Sequence, residues 1–136
     1  MIQTLENALM KVEIAQQGAE LQSIFYKQNN IEYLWQAESS IWPRKAPVLF
    51  PIVGKVKGNQ YTYDQQTYSL TQHGFARDRA FYLISSTTSS CTYRLNSTEE
   101  TFNVFPFEFE LDIIYSIDGA TLNVVYRIYN PSEKKE

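Results

Sequence analysis

The chain contains one histidine, His73, and places it in the stretch LTQHGFARDRAF (70–81), ahead of Gly74, Phe75, Arg77, Asp78 and Arg79. An imidazole can donate or accept one hydrogen bond near neutral pH. Arg77, and Arg44 from the earlier stretch WPRKAPVLFPIVGK, carry forked donors suited to hydroxyl, carboxylate or phosphate oxygens. Phe75, Trp42 and Trp35 could cover an apolar ligand face. Each residue also has a plainer reading: the arginines as surface charges, His73 as a loop residue bonded to a backbone carbonyl, Trp35 as core. Other chemistries find less support. A metal site needs several converging ligands, and one histidine and one cysteine far apart in sequence do not supply them. There is no G-x-S-x-G and no Gly-rich phosphate loop, so neither a serine nucleophile nor a nucleotide cofactor is expected. Cys91 sits within a strand-like Ser/Thr run and reads as a small buried residue rather than a nucleophile.

The elements that must position these side chains are strands. Period-two alternation runs through most of the chain, and helical periodicity is nearly absent. In PFEFELDIIYSI, Phe107, Phe109, Leu111, Ile113, Tyr115 and Ile117 share one face, and Glu108, Glu110, Asp112 and Ser116 share the other. Asp118-Gly119 then predicts a hairpin turn, with a return strand TLNVVYRIY whose Leu122, Val124, Tyr126 and Ile128 face inward. KVEIA and ELQSIFYK flank a turn at Gly18, and EYLWQ follows Asn29-Asn30. QYTYDQQTYSLT folds back around Asp64 to Gln66, and AFYLISST pairs with CTYRLN. About ten short strands and no helix predict an all-β fold, an antiparallel sandwich or open barrel. Only WPRKAPVLFPIVGK, with three prolines, and QHGFARDR break the alternation, and shaped connections of this kind are where sites tend to be built.

Bulk properties bound the rest. A chain of 136 residues is one domain, here residues 1–130, with a charged tail over 131–136. A net charge of -3 gives no field to hold a polyanion, so nucleic acid is not an expected partner. The first residues, MIQTLENALMKVEIA, carry charges inside their apolar stretch and read as neither a signal peptide nor a membrane span. One cysteine suits a reducing compartment, so a cytoplasmic setting is expected.

The motifs GAELQSI, EYLW, WPRKAPVLFPIVGKV, YSLTQHGFARDRAF, FPFEFELDIIY and LNVVYRIYN, in this order, resemble the aldose 1-epimerase (galactose mutarotase) family, and its LacX-like branch in particular. The resemblance implies a β-sandwich of the galactose mutarotase-like type. It implies binding of a free hexose, a small-molecule sugar, and interconversion of its α and β anomers by acid-base ring opening, with no cofactor. It assigns His73 and Arg44 as sugar-contacting residues, with Arg77 and Phe75 of the HGFAR signature beside them. The family's acid histidine and base glutamate lie beyond the stretch matching LNVVYRIYN, and this sequence ends at Glu136 before either. The resemblance therefore covers an N-terminal half, and no catalytic acid or base is assigned here. Little epimerase activity is expected of this chain by itself, and self-association or a missing C-terminal half follows from the edges it would expose. Two alternatives stay open: a non-catalytic carbohydrate-binding module or sensor, and a hexose-phosphate mutarotase using Arg44, Lys45, Arg77 and Arg79.

Overall fold

A computed structural model describes residues 1–132. Ten strands lie among them: β1 (Ile2–Glu6), β2 (Met10–Ala15), β3 (Leu21–Tyr26), β4 (Ile31–Glu32), β5 (Gln60–Tyr63), β6 (Gln66–Ser69), β7 (Tyr82–Ser86), β8 (Ser90–Asn96), β9 (Glu110–Asp118) and β10 (Thr121–Tyr129). They form two four-stranded antiparallel sheets, ordered β1-β2-β3-β4 and β10-β9-β8-β7, and the separate β5-β6 hairpin. The alternating pattern explains the packing. Leu5, Val12 and Ile14 of the first sheet meet Cys91, Tyr93, Leu95, Leu111, Ile113, Tyr115 and Ile117 of the second in one buried cluster. The Tyr115 hydroxyl crosses between the sheets and donates to the Ala19 carbonyl at 2.6 Å. The expected all-β architecture is what forms. Among the described residues, no helix is long and apolar enough to cross a membrane.

Four local expectations are corrected. No helix was expected, yet α1 (Glu99–Val104) forms. It is nucleated by a reciprocal cap: the Thr101 N–H donates to the Thr98 hydroxyl and the Thr98 N–H to the Thr101 hydroxyl. Next, EYLWQ contributes only its first residue, Glu32, to β4, and the Glu32 carboxylate accepts from the Ser23 hydroxyl and the amides of Ile24 and Leu34. The β9–β10 turn is centred one residue later than expected. The ladder closes with Asp118 opposite Thr121, so Gly119 and Ala120 form the turn, and only Gly119 has a positive φ (57°), the pattern of a type II′ turn.

The fourth correction concerns the two faces of the β9–β10 hairpin. Asp112 lies opposite the core, as expected, but it is 3% exposed because Arg94 of β8 and Arg127 of β10 stand directly across from it and cover it. Leu122 and Val124 pack against the core, whereas Tyr126 and Ile128 on the same face remain 59% and 56% exposed. Of the tail at 131–136, residues 133–136 lie outside the described residues.

Candidate functional site

The two irregular stretches are stitched together, and that contact builds the site. Backbone N–H groups of Phe75 and Ala76 both donate to the Phe50 carbonyl (2.9 and 3.2 Å), and Phe50 bridges to Gly74. Gly74 has φ 71°, and a Cβ there would fall inside van der Waals contact of the Phe50 carbonyl oxygen and 2.7 Å from Pro51 Cδ. Glycine is required on both counts. On the other side, the Gly18 N–H donates to the Arg79 carbonyl (2.6 Å) and the Phe81 N–H to the Gln16 carbonyl (3.0 Å). The 70–81 segment is thus clamped between the β2–β3 turn and the proline-rich stretch. That stretch is itself fixed, because the Glu20 carboxylate accepts from the N–H groups of Lys45 and Ala46, both at 3.0 Å.

His73 is the best-anchored side chain of the group. Its N–H donates to the Gly54 carbonyl (2.7 Å) and its Nδ1 accepts from the Gly54 N–H (2.9 Å). This two-point grip holds His73 at φ 64°, a left-handed conformation that costs a non-glycine residue roughly 1–2 kcal/mol. With Nδ1 accepting, the ring proton sits on Nε2, which has no partner among the described residues and is free to donate to a ligand. His73 and Arg77 line one cleft of about 420 Å³, with Trp42, Ala46, Pro47, Leu49 and Gln72 as its other walls. That volume lies within the roughly 300–1,000 Å³ common for small-molecule sites. Arg77 donates from Nη2 to the Gln72 carbonyl (3.0 Å), and its buried Nε has no partner. Among the described residues, no carboxylate lines the cleft.

Arg44 and Phe75 are placed otherwise. Arg44 lines a neighbouring hollow with Glu20, Gln22, Pro43 and Lys45, and its Nη2 pairs with Asp78 at 3.1 Å. Phe75 is not among the lining residues of the His73 cleft. Its ring belongs to an aromatic cluster with Phe50, Phe105 and Phe109, capped by the Arg79 guanidinium 5.7 Å above its centre. Trp42, the aromatic wall of the cleft, is braced by Trp35, whose indole N–H donates to the Trp42 carbonyl at 2.9 Å. Sequence reasoning gave no role to Gln72 or to Gly54, the residue that orients the imidazole. The glycine ending PIVG was the available signal for the latter.

Nearby ionisable groups behave structurally. Burial acts to raise the Glu32 carboxyl, but hydrogen bonds from Ser23, Ile24 and Leu34 and the charge of Lys45 outweigh it and hold the carboxyl below its ordinary value. Burial pushes the Cys91 thiol up to about 11, which leaves no thiolate nucleophile at neutral pH.

The profile of the aldose 1-epimerase family matches residues 1–135. The chain belongs to the aldose 1-epimerase family. Among its relatives, the plasmid-encoded protein LacX of Lactococcus lactis subsp. lactis is 30% identical over 136 residues, a match that covers 96% of this chain and 45% of LacX. A galactose mutarotase related enzyme from Lactobacillus acidophilus is 44% identical with a TM-score of 0.95, over 98% of this chain and 44% of that one. A galactose mutarotase-like protein from Lactobacillus casei is 40% identical, also with a TM-score of 0.95, over 98% of this chain and 46% of the other. The chain thus spans less than half the length of these family members, consistent with their N-terminal half.

Proposed function

We propose that this chain binds a free hexose between His73 and Arg77 and orients it, as the sugar-holding part of an aldose 1-epimerase, without supplying the acid-base pair that turns the sugar over. The observation that carries this reading is the His73–Gly54 grip, which leaves an oriented Nε2–H in the same cleft as Arg77 and Trp42. His73 Nε2 and the Arg77 guanidinium donate to sugar hydroxyl or ring oxygens, while the Trp42 indole covers the apolar C–H face of the pyranose. Family membership supports the substrate class. Anomer interconversion needs an acid at the ring oxygen and a base at the anomeric hydroxyl, each contributing about 10²- to 10⁴-fold. Among the described residues the cleft offers His73 and no carboxylate to play the second role. A cytoplasmic setting fits its single cysteine, which is buried.

Ion pairing weighs against a phosphorylated sugar. Arg44 is held by Asp78 and Arg79 by Glu100, so two of the four cations that a phosphate would recruit are already engaged. The test is calorimetric titration of D-galactose and D-glucose into the wild-type chain, His73→Ala and Arg77→Ala, beside polarimetry on fresh α-D-galactose. The reading expects saturable binding by the wild type, at least tenfold weaker binding by each variant, and mutarotation no faster than the buffer control. Equal binding by all three proteins overturns the site, and saturable acceleration by the wild type overturns the division of labour. A non-catalytic sugar-binding module, the alternative from another class, uses the same cleft. It gains ground if the chain still fails to accelerate mutarotation when joined to the rest of a family member.

A further inference from the structure

The stretch 42–46 contributes to two hollows at once. Trp42 and Ala46 line the His73 cleft with Arg77, whereas Pro43, Arg44 and Lys45 line the neighbouring hollow with Glu20 and Gln22. Most polar groups there are committed to the backbone: Lys45 Nζ donates to the Gln22 carbonyl (3.3 Å), and the Glu20 carboxylate accepts from the Lys45 and Ala46 amides. Arg44 is held differently. Its Nη2 meets Asp78 Oδ1 at 3.1 Å, and among the described residues the guanidinium has no other hydrogen-bond or ion-pair partner. Asp78 directly follows Arg77, so the pair joins the segment carrying Trp42 to the segment carrying Arg77 beside the cleft. Both side chains are open to solvent, 34% and 60% exposed, and an exposed pair of this kind adds little stability. Its consequence is electrostatic. Without Asp78, the guanidiniums of Arg44 and Arg77 would stand near one cleft with no carboxylate between them, an arrangement suited to an anion.

We propose that Asp78 is a specificity-determining residue, which by pairing with Arg44 withholds that guanidinium from ligands and makes the His73 cleft favour neutral hexoses over sugars carrying a phosphate. A phosphate bears a charge of about -1.5 to -2 at neutral pH, so it meets the Asp78 carboxylate as a like charge and must displace it to reach Arg44. Replacing Asp78 by asparagine keeps the shape, removes the repulsion and frees the guanidinium. The choice between sugars rests on the proposed hexose site; the withholding of Arg44 from anions does not.

The experiment titrates D-galactose, D-galactose 6-phosphate and inorganic phosphate into the wild-type chain and its variants, by calorimetry and by the indole N–H signal of Trp42. The wild type should bind galactose at least tenfold more tightly than its 6-phosphate and show no saturable response to inorganic phosphate. Asp78→Asn should bind the 6-phosphate at least tenfold more tightly than the wild type does, keep its galactose affinity within twofold, and respond saturably to inorganic phosphate. Adding Arg44→Gln should abolish both gains. Glu100→Gln adds the same charge but frees Arg79, which lines a different hollow, and should leave the preference unchanged. Raising the salt from about 50 to about 500 mM should shrink the gain, since screening weakens an exposed charge contact. Unchanged phosphate affinity in Asp78→Asn overturns the proposal, as does an equal loss for both sugars, which would mark Asp78 as merely structural. An equal gain in Glu100→Gln, or a wild type that prefers the 6-phosphate, overturns it too. If no protein binds galactose while Asp78→Asn gains inorganic phosphate through Arg44, the proposed function fails and the role of Asp78 stands.

Discussion

Replacing Gly74 by alanine probes the joint that creates the cleft. The new methyl would meet two costs. Holding an alanine at φ 71° costs roughly 1–2 kcal/mol. The contact with the Phe50 carbonyl and Pro51 adds the cost of overpacking, about 1–3 kcal/mol, because the obstacle is backbone rather than a mobile side-chain tip. The sum is roughly 2–5 kcal/mol, a large part of the ~5–15 kcal/mol that stabilises a typical domain. Gly58 provides the control. Its φ is 64°, and nothing lies within 4 Å of an added Cβ, so Gly58→Ala should incur only the conformational cost of about 1–2 kcal/mol. Equilibrium urea unfolding followed by the fluorescence of Trp35 and Trp42 measures both variants, and their difference isolates the contact. Gly74→Ala should also weaken hexose binding at least tenfold, because relief of the clash separates Phe50 from the Phe75 and Ala76 amides that it holds. If the two variants lose equal stability, the close approach of the two segments is not what fixes the site.

Two other perturbations follow from buried chemistry. Arg94 hydrogen bonds hold the Asp112 carboxyl below its ordinary value of 3.8 against the opposing effect of burial, with the charges of Arg94 and Arg127 assisting. Its folded value is depressed, so its stabilisation is present above pH ~4 and lost as pH falls through the lower folded value. Asp112→Asn should therefore cost about 1–3 kcal/mol at pH 7 and lose less stability than the wild type between pH 5 and pH 2, as read from urea midpoints. An identical pH dependence in the two proteins would contradict the assignment. Cys91, 1% exposed with its thiol pushed up to about 11, should resist a disulfide reagent at pH 8 in the native state and react at once in urea. Stoichiometric labelling of the folded chain would contradict its burial.

The parts of the fold written in local pattern were legible in the sequence. The β9–β10 and β5–β6 hairpins follow from alternation and turn residues, and the two segments that break alternation do meet in space. What escaped was set by partners distant in sequence. Arg44 and Arg77 look equivalent in the sequence, and only the tertiary fold brings Asp78 to Arg44, 34 residues away, and leaves Arg77 at the cleft. The left-handed backbone of His73 depends on Gly54, and the burial of Asp112 on arginines of both flanking strands. Helix α1 is six residues long, too short to show a period, although its threonine cap is visible in retrospect. Phe75 belongs to a motif that resembles a sugar site, but its ring is one of four phenylalanines packed together, a contact that no spacing along the chain encodes.

The central claim is that one hexose sits between the His73 imidazole and the Arg77 guanidinium, over Trp42. A heteronuclear NMR titration of the chain with D-galactose observes this directly, through the ring signals of its single histidine and the indole N–H of Trp42. The account predicts that both shift together along one saturable curve, that the Gly54 amide moves with them, and that Cys91 stays still. Saturable shifts confined to residues outside the cleft, or no shift at His73 at any sugar concentration, would contradict it.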